Sequence, residues 1–214
     1  MRHDCKPLRS NNDGKPDIPP RPPGQSVPPA IRYFPEQLDS ERLTIRPARH
    51  GDGARLYEAV AASLDDLRRF PASMSWAMRD QTLLGTEQYC RDAYAYFLLR
   101  EHLFYLLLLK GSDIVVGCCA LYCINWDVPS CQLGYWGRTP FQGRGLITEG
   151  ARRLVDFGFA ELGMRRIETW VDDLNRPSWR VCQRLDFALE GLLRNERIDP
   201  DGTLRNTRIY SQIR

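Results

Sequence analysis

The sequence predicts an α/β protein in which helices flank a mixed sheet, because strand-like and helix-like hydrophobic periods alternate along most of the chain. The predicted order of elements after residue 38 is β-α-α-β-β-β-α-β-α-β-β. With 214 residues, of which 43% are apolar, the chain is long enough to form one domain with a substantial core.

The first elements follow from local periodicity. The segment Arg42–Pro47 alternates like a strand, and apolar residues recur at helical spacing within Asp52–Ser63. A second helix is predicted over Thr86–Arg100, with a Thr as its N-cap. The apolar run that follows is typical of two buried strands joined in a hairpin around Lys110–Asp113.

The second half of the chain continues the alternation. A strand is predicted over Cys131–Arg138, followed by a helix over Leu146–Leu162 whose apolar residues lie on one side. Strand-like alternation returns in Arg165–Val171, and a short helix with a Pro in its first turn follows over Arg176–Leu185. Two strands around the turn Asp199–Gly202 complete the predicted order.

The N-terminal segment has a different composition from the rest of the chain. Residues 1–35 contain nine of the fifteen prolines and six basic against three acidic side chains, which accounts for the net charge of +3. Such a segment buries too little apolar surface to offset the entropy of ordering it. We therefore predict a disordered, Pro-rich leader over 1–35 and a folded domain over 38–214.

Charge, hydropathy and cysteine usage exclude several classes of protein. Outside the leader the basic and acidic residues balance at 24 each, which argues against direct nucleic-acid binding. The longest apolar run, Leu103–Leu109, is far shorter than the roughly 20 residues of a spanning helix. No signal-peptide pattern is present, and seven cysteines without a Cys-x-x-Cys pair are expected to be mostly reduced. These features predict a cytoplasmic protein with no membrane partner.

The junction between the strand Cys131–Arg138 and the next helix carries two glycines, Gly143 and Gly145. Glycines at such a junction let successive backbone N–H groups point at one anion, helped by the helix dipole. A phosphate or pyrophosphate fits this arrangement, although two glycines also suit a plain tight turn. The P-loop and the Gly-x-Gly-x-x-Gly fingerprint are both absent from this stretch.

The run from Leu133 to Asn195 resembles the acetyl-CoA-binding half of the GNAT N-acetyltransferases, especially the branch that acetylates the N-termini of ribosomal proteins. The weaker resemblance extends over residues 38–214. It implies the GNAT fold, a mostly antiparallel mixed sheet in which Leu133–Gly137 and Ile167–Asp172 are parallel neighbours that splay apart. Acetyl-CoA is the implied co-substrate, with its pantetheine in the gap, and no metal is expected because no metal-ligand spacing occurs.

The resemblance also assigns residues to the cofactor. Gln142 and Gly145 match the first and fourth positions of the family's pyrophosphate loop, Gln-x-x-Gly-x-Gly/Ala. Ile147 departs from the small residue at the sixth position, which would narrow the approach of the phosphate. The full set of implied cofactor-binding residues is Leu133, Gly134, Tyr135, Gln142, Gly143, Arg144, Gly145, Ile147, Thr148, Asn175 and Ser178.

Acetyl transfer to an amine needs a neutral amine, a donor to the developing oxyanion and a proton for the departing thiolate. The predicted oxyanion donor is a backbone N–H near Tyr135 or Trp136. Ser178 is the predicted acid for the thiolate, with Tyr135 as a second candidate. Glu196 is the predicted base by analogy with related enzymes, and a surface carboxylate paired with a neighbouring arginine is the alternative.

The predicted function is direct transfer of acetyl from acetyl-CoA to a primary amine, with a protein N-terminal α-amine as the acceptor. Acetylation of a polyamine, an amino acid or an antibiotic is one alternative, and a catalytically silent acyl-CoA-binding module is another. Trp76, Trp126 and the helix Thr86–Arg100 could form the wall of a peptide cleft or belong to the core. The sequence leaves open whether the protein is a monomer or a homodimer.

Overall fold

Eight strands form one twisted sheet in the computed structural model, which describes residues 28–214. The strands are β1 (Leu38–Asp39), β2 (Leu43–Pro47), β3 (Leu103–Leu109), β4 (Val115–Asn125), β5 (Ser130–Gly137), β6 (Arg166–Asp172), β7 (Ala188–Ile198) and β8 (Leu204–Ile213). The helices are α1 (Gly53–Ala61), α2 (Leu64–Leu67), α3 (Leu83–Leu99), α4 (Leu146–Ala160) and α5 (Arg176–Arg184).

The strand order is β1-β2-β3-β4-β5-β6-β8-β7. The pair β5–β6 is parallel, and the other neighbouring pairs among the described strands are antiparallel. Helix α4 provides the crossover that a parallel pair requires. The predicted mixed, mostly antiparallel sheet with flanking helices is therefore confirmed.

Two short elements, β1 and α2, were not predicted, because two and four residues are too few to show a period. The start of α3 was also predicted wrongly. The N-cap of α3 is Thr82 rather than Thr86, and its side-chain oxygen accepts a hydrogen bond from the N–H of Gly85 at 3.0 Å. Thr86 lies one turn later and donates its hydroxyl to the carbonyl of Thr82.

Apolar residues on both faces of the sheet form two core layers. Leu154 and Phe157 of α4 belong to one layer, together with residues of α5. Leu56 of α1 and Cys90 of α3 belong to the layer on the opposite face. Because β3 is covered on both faces, its sequence is a continuous apolar run rather than an alternating one.

The folded part of the chain begins earlier than the sequence predicted. Phe34, which the prediction placed in the leader, is buried in the core and stacks on Trp126. The guanidinium of Arg100 lies 4.6 Å from the Phe34 ring and donates to the carbonyl of Arg32. Phe34 thus packs with the domain predicted over 38–214 although it belongs to the predicted leader, and residues 1–27 of that leader lie outside the described residues.

Five cysteines are free and buried, namely Cys90, Cys118, Cys119, Cys131 and Cys182. Burial raises the pKa of Cys118 and of Cys131 to about 12, so these thiols stay protonated near neutral pH. Cys5 lies outside the described range. Between residues 28 and 214, no helix has the length and apolar character needed to cross a membrane.

Candidate active site

Strands β5 and β6 pair over three residues and then separate. Their parallel register runs from Ser130 opposite Arg166 to Gln132 opposite Glu168. Beyond that point β5 stays paired with β4, and β6 stays paired with β8. A cavity of about 530 Å³ opens between the two strands. The predicted splay of the parallel pair is present.

The cavity brings together six of the predicted site residues from distant parts of the chain. They are Leu133, Gly134, Tyr135, Asn175, Ser178 and Glu196. The remaining predicted residues, from Gln142 to Thr148, lie where β5 leads into α4 rather than in the cavity wall. The last residues of β5 join the cavity wall to this loop along the chain.

The hydrogen-bond pattern of β5 shows which backbone groups face the gap. The N–H of Arg138 donates to the carbonyl of Val116 at 2.9 Å, and successive residues of a strand point their backbone groups to opposite sides. Trp136 therefore bonds to β4, whereas Tyr135, which lies beyond the last β5 residue paired with β6, directs its N–H group into the gap. Of the two predicted oxyanion donors, Tyr135 has the N–H with the required direction, and Trp136 does not.

The side chain of Tyr135 is tied to helix α5. Its hydroxyl donates to the carbonyl of Ser178 at 2.8 Å and lies 3.2 Å from the sulfur of Cys182. The hydroxyl of Ser178 is 3.4 Å from the same phenol oxygen, which is a long hydrogen bond. Burial raises the pKa of Tyr135 well above its ordinary value, so the phenol stays protonated. The tyrosine proton is engaged with α5, and the serine hydroxyl is the more weakly held donor at the cavity.

Helix α5 begins at the cavity because of Asn175. The Asn175 side-chain oxygen accepts from the N–H of Ser178 at 3.2 Å, and Pro177 occupies the first turn. This cap uses only the amide oxygen of Asn175. The amide NH₂ group remains on the cavity wall as a donor that could contact a bound carbonyl.

The loop before α4 has the backbone geometry of an anion site. Gly143 and Gly145 have φ angles of 74° and 76°, in the left-handed region that favours glycine. Gly145 is the N-cap of α4, and no side chain caps the helix there. The first N–H groups of an α-helix have no partner within the helix, so these donors face outward at an exposed loop.

Ile147 does not obstruct this loop. A Cβ atom placed on Gly117 would lie 2.6 Å from the Ile147 side chain, and one placed on Gly137 would lie 2.9 Å from it. The isoleucine therefore packs onto β4 and β5, in space that two paired glycines leave open. The larger side chain thus points to the sheet, and the narrowing of the phosphate approach that the resemblance implied stays a prediction.

Glu196 reaches the cavity through an irregularity in β7. The register of β7 against β8 shifts between Leu193 and Arg197, and Asn195 has a φ angle of 54°. Glu196 Oε2 accepts from the hydroxyl of Thr207 at 2.7 Å and from Arg197 Nε at 3.0 Å. Both predicted features, a carboxylate at the cleft and an arginine pair, are thus present in the same residue. No described residue donates to Oε1.

The segment 72–76 lines the cavity together with residues of α5 and β7. Its position is held by Arg197, which donates to the hydroxyl of Ser73 at 3.1 Å, and by Asp199, which accepts from the N–H of Ala72 at 3.0 Å. Trp76 lines the cavity, as the cleft-wall interpretation predicted. Trp126 does not, because its ring stacks on Phe34 in the core.

Neither described histidine belongs to the cavity. The ring of His102 packs against Tyr96 and Phe104, and burial lowers its pKa. His50 is exposed beside α1. In the part of the chain that the structure describes, no three His, Cys, Asp or Glu side chains are grouped closely enough to hold a metal ion.

Comparison with known proteins identifies the family. A family model described as acetyltransferase (GNAT) domain matches residues 42–188, which is more than half of the chain. The protein belongs to the GNAT acetyltransferase family.

Two curated relatives and one solved structure illustrate the similarity. The uncharacterized N-acetyltransferase p20 of Bacillus licheniformis is 36% identical over 90 residues, which cover 42% of this chain and 50% of p20. YdaF of Bacillus subtilis, provisionally named as a ribosomal N-acetyltransferase, is 32% identical over 89 residues, covering 42% of this chain and 48% of YdaF. The chain thus spans about half the length of these relatives.

The ribosomal L7/L12 alpha-N-protein acetyltransferase RimL, solved in complex with coenzyme A, superposes with a TM-score of 0.73 at 21% identity. The match covers 81% of this chain and 95% of RimL. At this level of identity the similarity establishes the shared fold.

Proposed function

We propose that the protein transfers an acetyl group from acetyl-CoA directly to a primary amine, and that the acceptor is a protein N-terminal α-amine. The observation that carries the proposal is the gap between β5 and β6, which leads directly to the loop with outward N–H groups before α4. Family membership and the named activities of the relatives support the same reaction.

In this proposal the loop Gln142–Gly145 and the first turn of α4 hold the pyrophosphate of acetyl-CoA. The pantetheine lies in the gap, where Leu133 and Tyr135 offer backbone groups and Asn175 offers a side-chain amide. The protein therefore binds the phosphates through backbone N–H groups and the helix dipole rather than through a lysine.

The chemistry then follows from the cavity wall. The amine nitrogen attacks the thioester carbonyl carbon, and the N–H of Tyr135 stabilises the negative charge that develops on the carbonyl oxygen. As the C–S bond breaks, Ser178 passes a proton to the thiolate and regains one from solvent water. Glu196 accepts the amine proton, directly or through a water. No covalent enzyme intermediate is required.

The charges at the cavity favour a single amine over a polyamine. Of the described residues that line it, Asp172 and Glu196 are the acidic ones. Asp172 accepts two hydrogen bonds from Arg205 at 2.8 and 2.9 Å, and Glu196 accepts one from Arg197. An arginine already balances the negative charge of each carboxylate, so a substrate with several cationic groups gains little attraction from these two side chains. A peptide N-terminus presents one reactive amine.

Incubation with acetyl-CoA and a matched panel of amines tests the proposal. The panel contains a peptide with a free α-amine, the same peptide with a blocked N-terminus and a free lysine, spermidine and a free amino acid. Free thiol release and product mass are the measurements. We expect acetylation of the α-amine. If only spermidine or the free amino acid were acetylated, the acceptor assignment would be overturned. Binding of coenzyme A without any acetylated product would indicate a catalytically silent acyl-CoA-binding module.

Replacing Gly145 with Pro is expected to weaken acetyl-CoA binding by about tenfold or more while the protein remains folded. Proline removes one N–H donor and requires a φ near −65°, and the loss of one charge-assisted hydrogen bond corresponds to about that factor. Calorimetric titration with acetyl-CoA measures the effect. The matched control is Gly163→Pro, at another glycine of positive φ beyond the far end of α4. Unchanged affinity in Gly145→Pro would exclude the loop as the phosphate site.

Replacing Ile147 with Ala is expected to lower the free energy of unfolding by about 2 kcal/mol, the low end of the range for isoleucine, because the side chain is half-buried and the change empties space against Gly117 and Gly137. Acetyl-CoA affinity should stay within about twofold, since the side chain faces the sheet. Urea unfolding and calorimetry measure the two quantities separately. A large change in affinity with unchanged stability would show that Ile147 acts on the phosphate approach instead.

A further inference from the structure

Arg42 connects the turn between β1 and β2 to the loop before α4. One guanidinium nitrogen donates to the carbonyl oxygen of Arg144 at 3.0 Å, within that loop. The Nε atom donates to Glu149 at 2.7 Å, and a second terminal nitrogen lies 2.6 Å from the same carboxylate. Arg42 therefore contacts both the loop and the first turn of α4, although it lies more than 100 residues before both of them in the sequence.

Glu149 completes the connection. Its carboxylate also accepts from the backbone N–H of Arg42 at 2.7 Å and from the hydroxyl of Ser40 at 2.8 Å. An acid in the first turn of a helix suits the dipole, but these donors come from a different part of the chain. Burial opposes ionisation, yet the bonds from Arg42 and Ser40 outweigh it and hold the pKa of Glu149 below its ordinary value. The acid is thus a fixed anchor for Arg42.

The bond to the Arg144 carbonyl determines where a loop N–H points. The carbonyl of Arg144 and the N–H of Gly145 belong to one planar peptide group, in which they point in opposite directions. Holding the carbonyl towards Arg42 aims the Gly145 N–H away from it, to the outer side of the loop. Without such a restraint, glycines at 143 and 145 would leave the loop free to sample many conformations.

We infer that Arg42, anchored by Glu149, is a positioning residue that holds the loop Gln142–Gly145 in its phosphate-binding conformation. The inference rests on the proposed function, because it assumes that this loop binds the pyrophosphate. A different role for Arg42 would be direct attraction of the phosphate by its charge, since its side chain is 45% exposed. The two roles predict opposite effects for one substitution.

The variants Arg42→Gln, Glu149→Gln and the double variant separate these roles, with the acetyl-CoA dissociation constant measured by calorimetry. If Arg42 positions the loop, each single variant weakens binding by about tenfold, the factor for one charge-assisted hydrogen bond. The double variant then binds acetyl-CoA no more weakly than the single variant with the lower affinity, because both substitutions disrupt the same Arg42–Glu149 pair. If Arg42 acts through its charge, Glu149→Gln strengthens binding by removing a nearby negative charge, and the inference is overturned.

Steady-state kinetics provide a second measurement. If Arg42 positions the loop, the substitution Arg42→Gln raises the KM for acetyl-CoA by about the same factor as the dissociation constant. The same substitution changes kcat less than twofold. Arg42→Lys should restore little of the affinity, because a single ammonium cannot bridge Glu149 and the Arg144 carbonyl as a guanidinium fork does. Full rescue by Lys would overturn the positioning role.

Arg91→Gln is the matched control, because Arg91 forms a comparable ion pair with Glu87 at 2.9 Å on α3, away from the loop. It should bind acetyl-CoA like the wild type. If the wild-type protein itself fails to bind acetyl-CoA, the proposed function fails. If the wild type binds and both single variants bind equally well, the inference about Arg42 fails alone.

Discussion

Replacing Glu196 with Gln is expected to lower kcat by about 10²- to 10⁴-fold at neutral pH, the usual contribution of a general base. Glu196 lines the cavity, and its Oε2 atom is held by Thr207 and Arg197 while Oε1 is left for a substrate proton. The acetyl-CoA dissociation constant should not change, because the proposed cofactor contacts lie on β5, α4 and α5. Steady-state rates between neutral and alkaline pH provide the measurement.

The pH dependence distinguishes a base from a structural carboxylate. An acceptor amine becomes neutral by itself as the pH rises, so a missing base matters less and the defect of Glu196→Gln should shrink. The matched control is Glu190→Gln, on the same strand but bonded to Arg166 and Ser211 instead of facing the cavity. A Glu196→Gln variant with wild-type kcat at every pH would leave the residue as the partner of Arg197 and move the base elsewhere.

Replacing Phe34 with Ala is expected to lower the free energy of unfolding by about 3–5 kcal/mol, the range for truncating a buried phenylalanine. Phe34 is 5% exposed and packs against Trp126, Phe157 and the guanidinium of Arg100. Denaturant unfolding monitored by tryptophan fluorescence measures the change. The loss is large because one substitution removes the contacts of a buried ring and one of the two aromatic rings, Phe34 and Phe97, that pack on the Arg100 guanidinium.

Tyr33→Ala is the control for this prediction, since the neighbouring aromatic side chain is 91% exposed. It should change the free energy of unfolding by less than about 0.5 kcal/mol, as surface substitutions generally do. Equal and small effects of the two substitutions would return the start of the folded domain to residue 38.

The order of helices and strands could be predicted from the sequence because each element depends on a period within a short segment. The glycine turn before α4 could be predicted for the same reason, since Gly143 and Gly145 permit the left-handed conformations locally and α4 begins directly after them. What the sequence could not show are the elements too short to have a period, such as β1 and α2.

The orientation of particular groups in the site depended on the tertiary structure. Tyr135 rather than Trp136 faces the gap because the register between β4 and β5 selects alternate N–H groups. Ile147 avoids the loop because Gly117 and Gly137, far from it in sequence, leave space on the sheet. A strand register and a space that accepts a side chain both depend on two segments that are distant in sequence. They exist only once those segments pack against each other.

The sequence by itself determined the sheet-and-helix order and the glycine loop, because propensity, capping and backbone freedom act over a few neighbouring residues. Only the tertiary structure placed Phe34 in the core, brought Glu196 to the cavity through a shift in strand register and joined Arg42 to Glu149. These contacts span tens to more than a hundred residues, and no local period or spacing encodes them. They are decided by which surfaces the packed elements leave adjacent to each other.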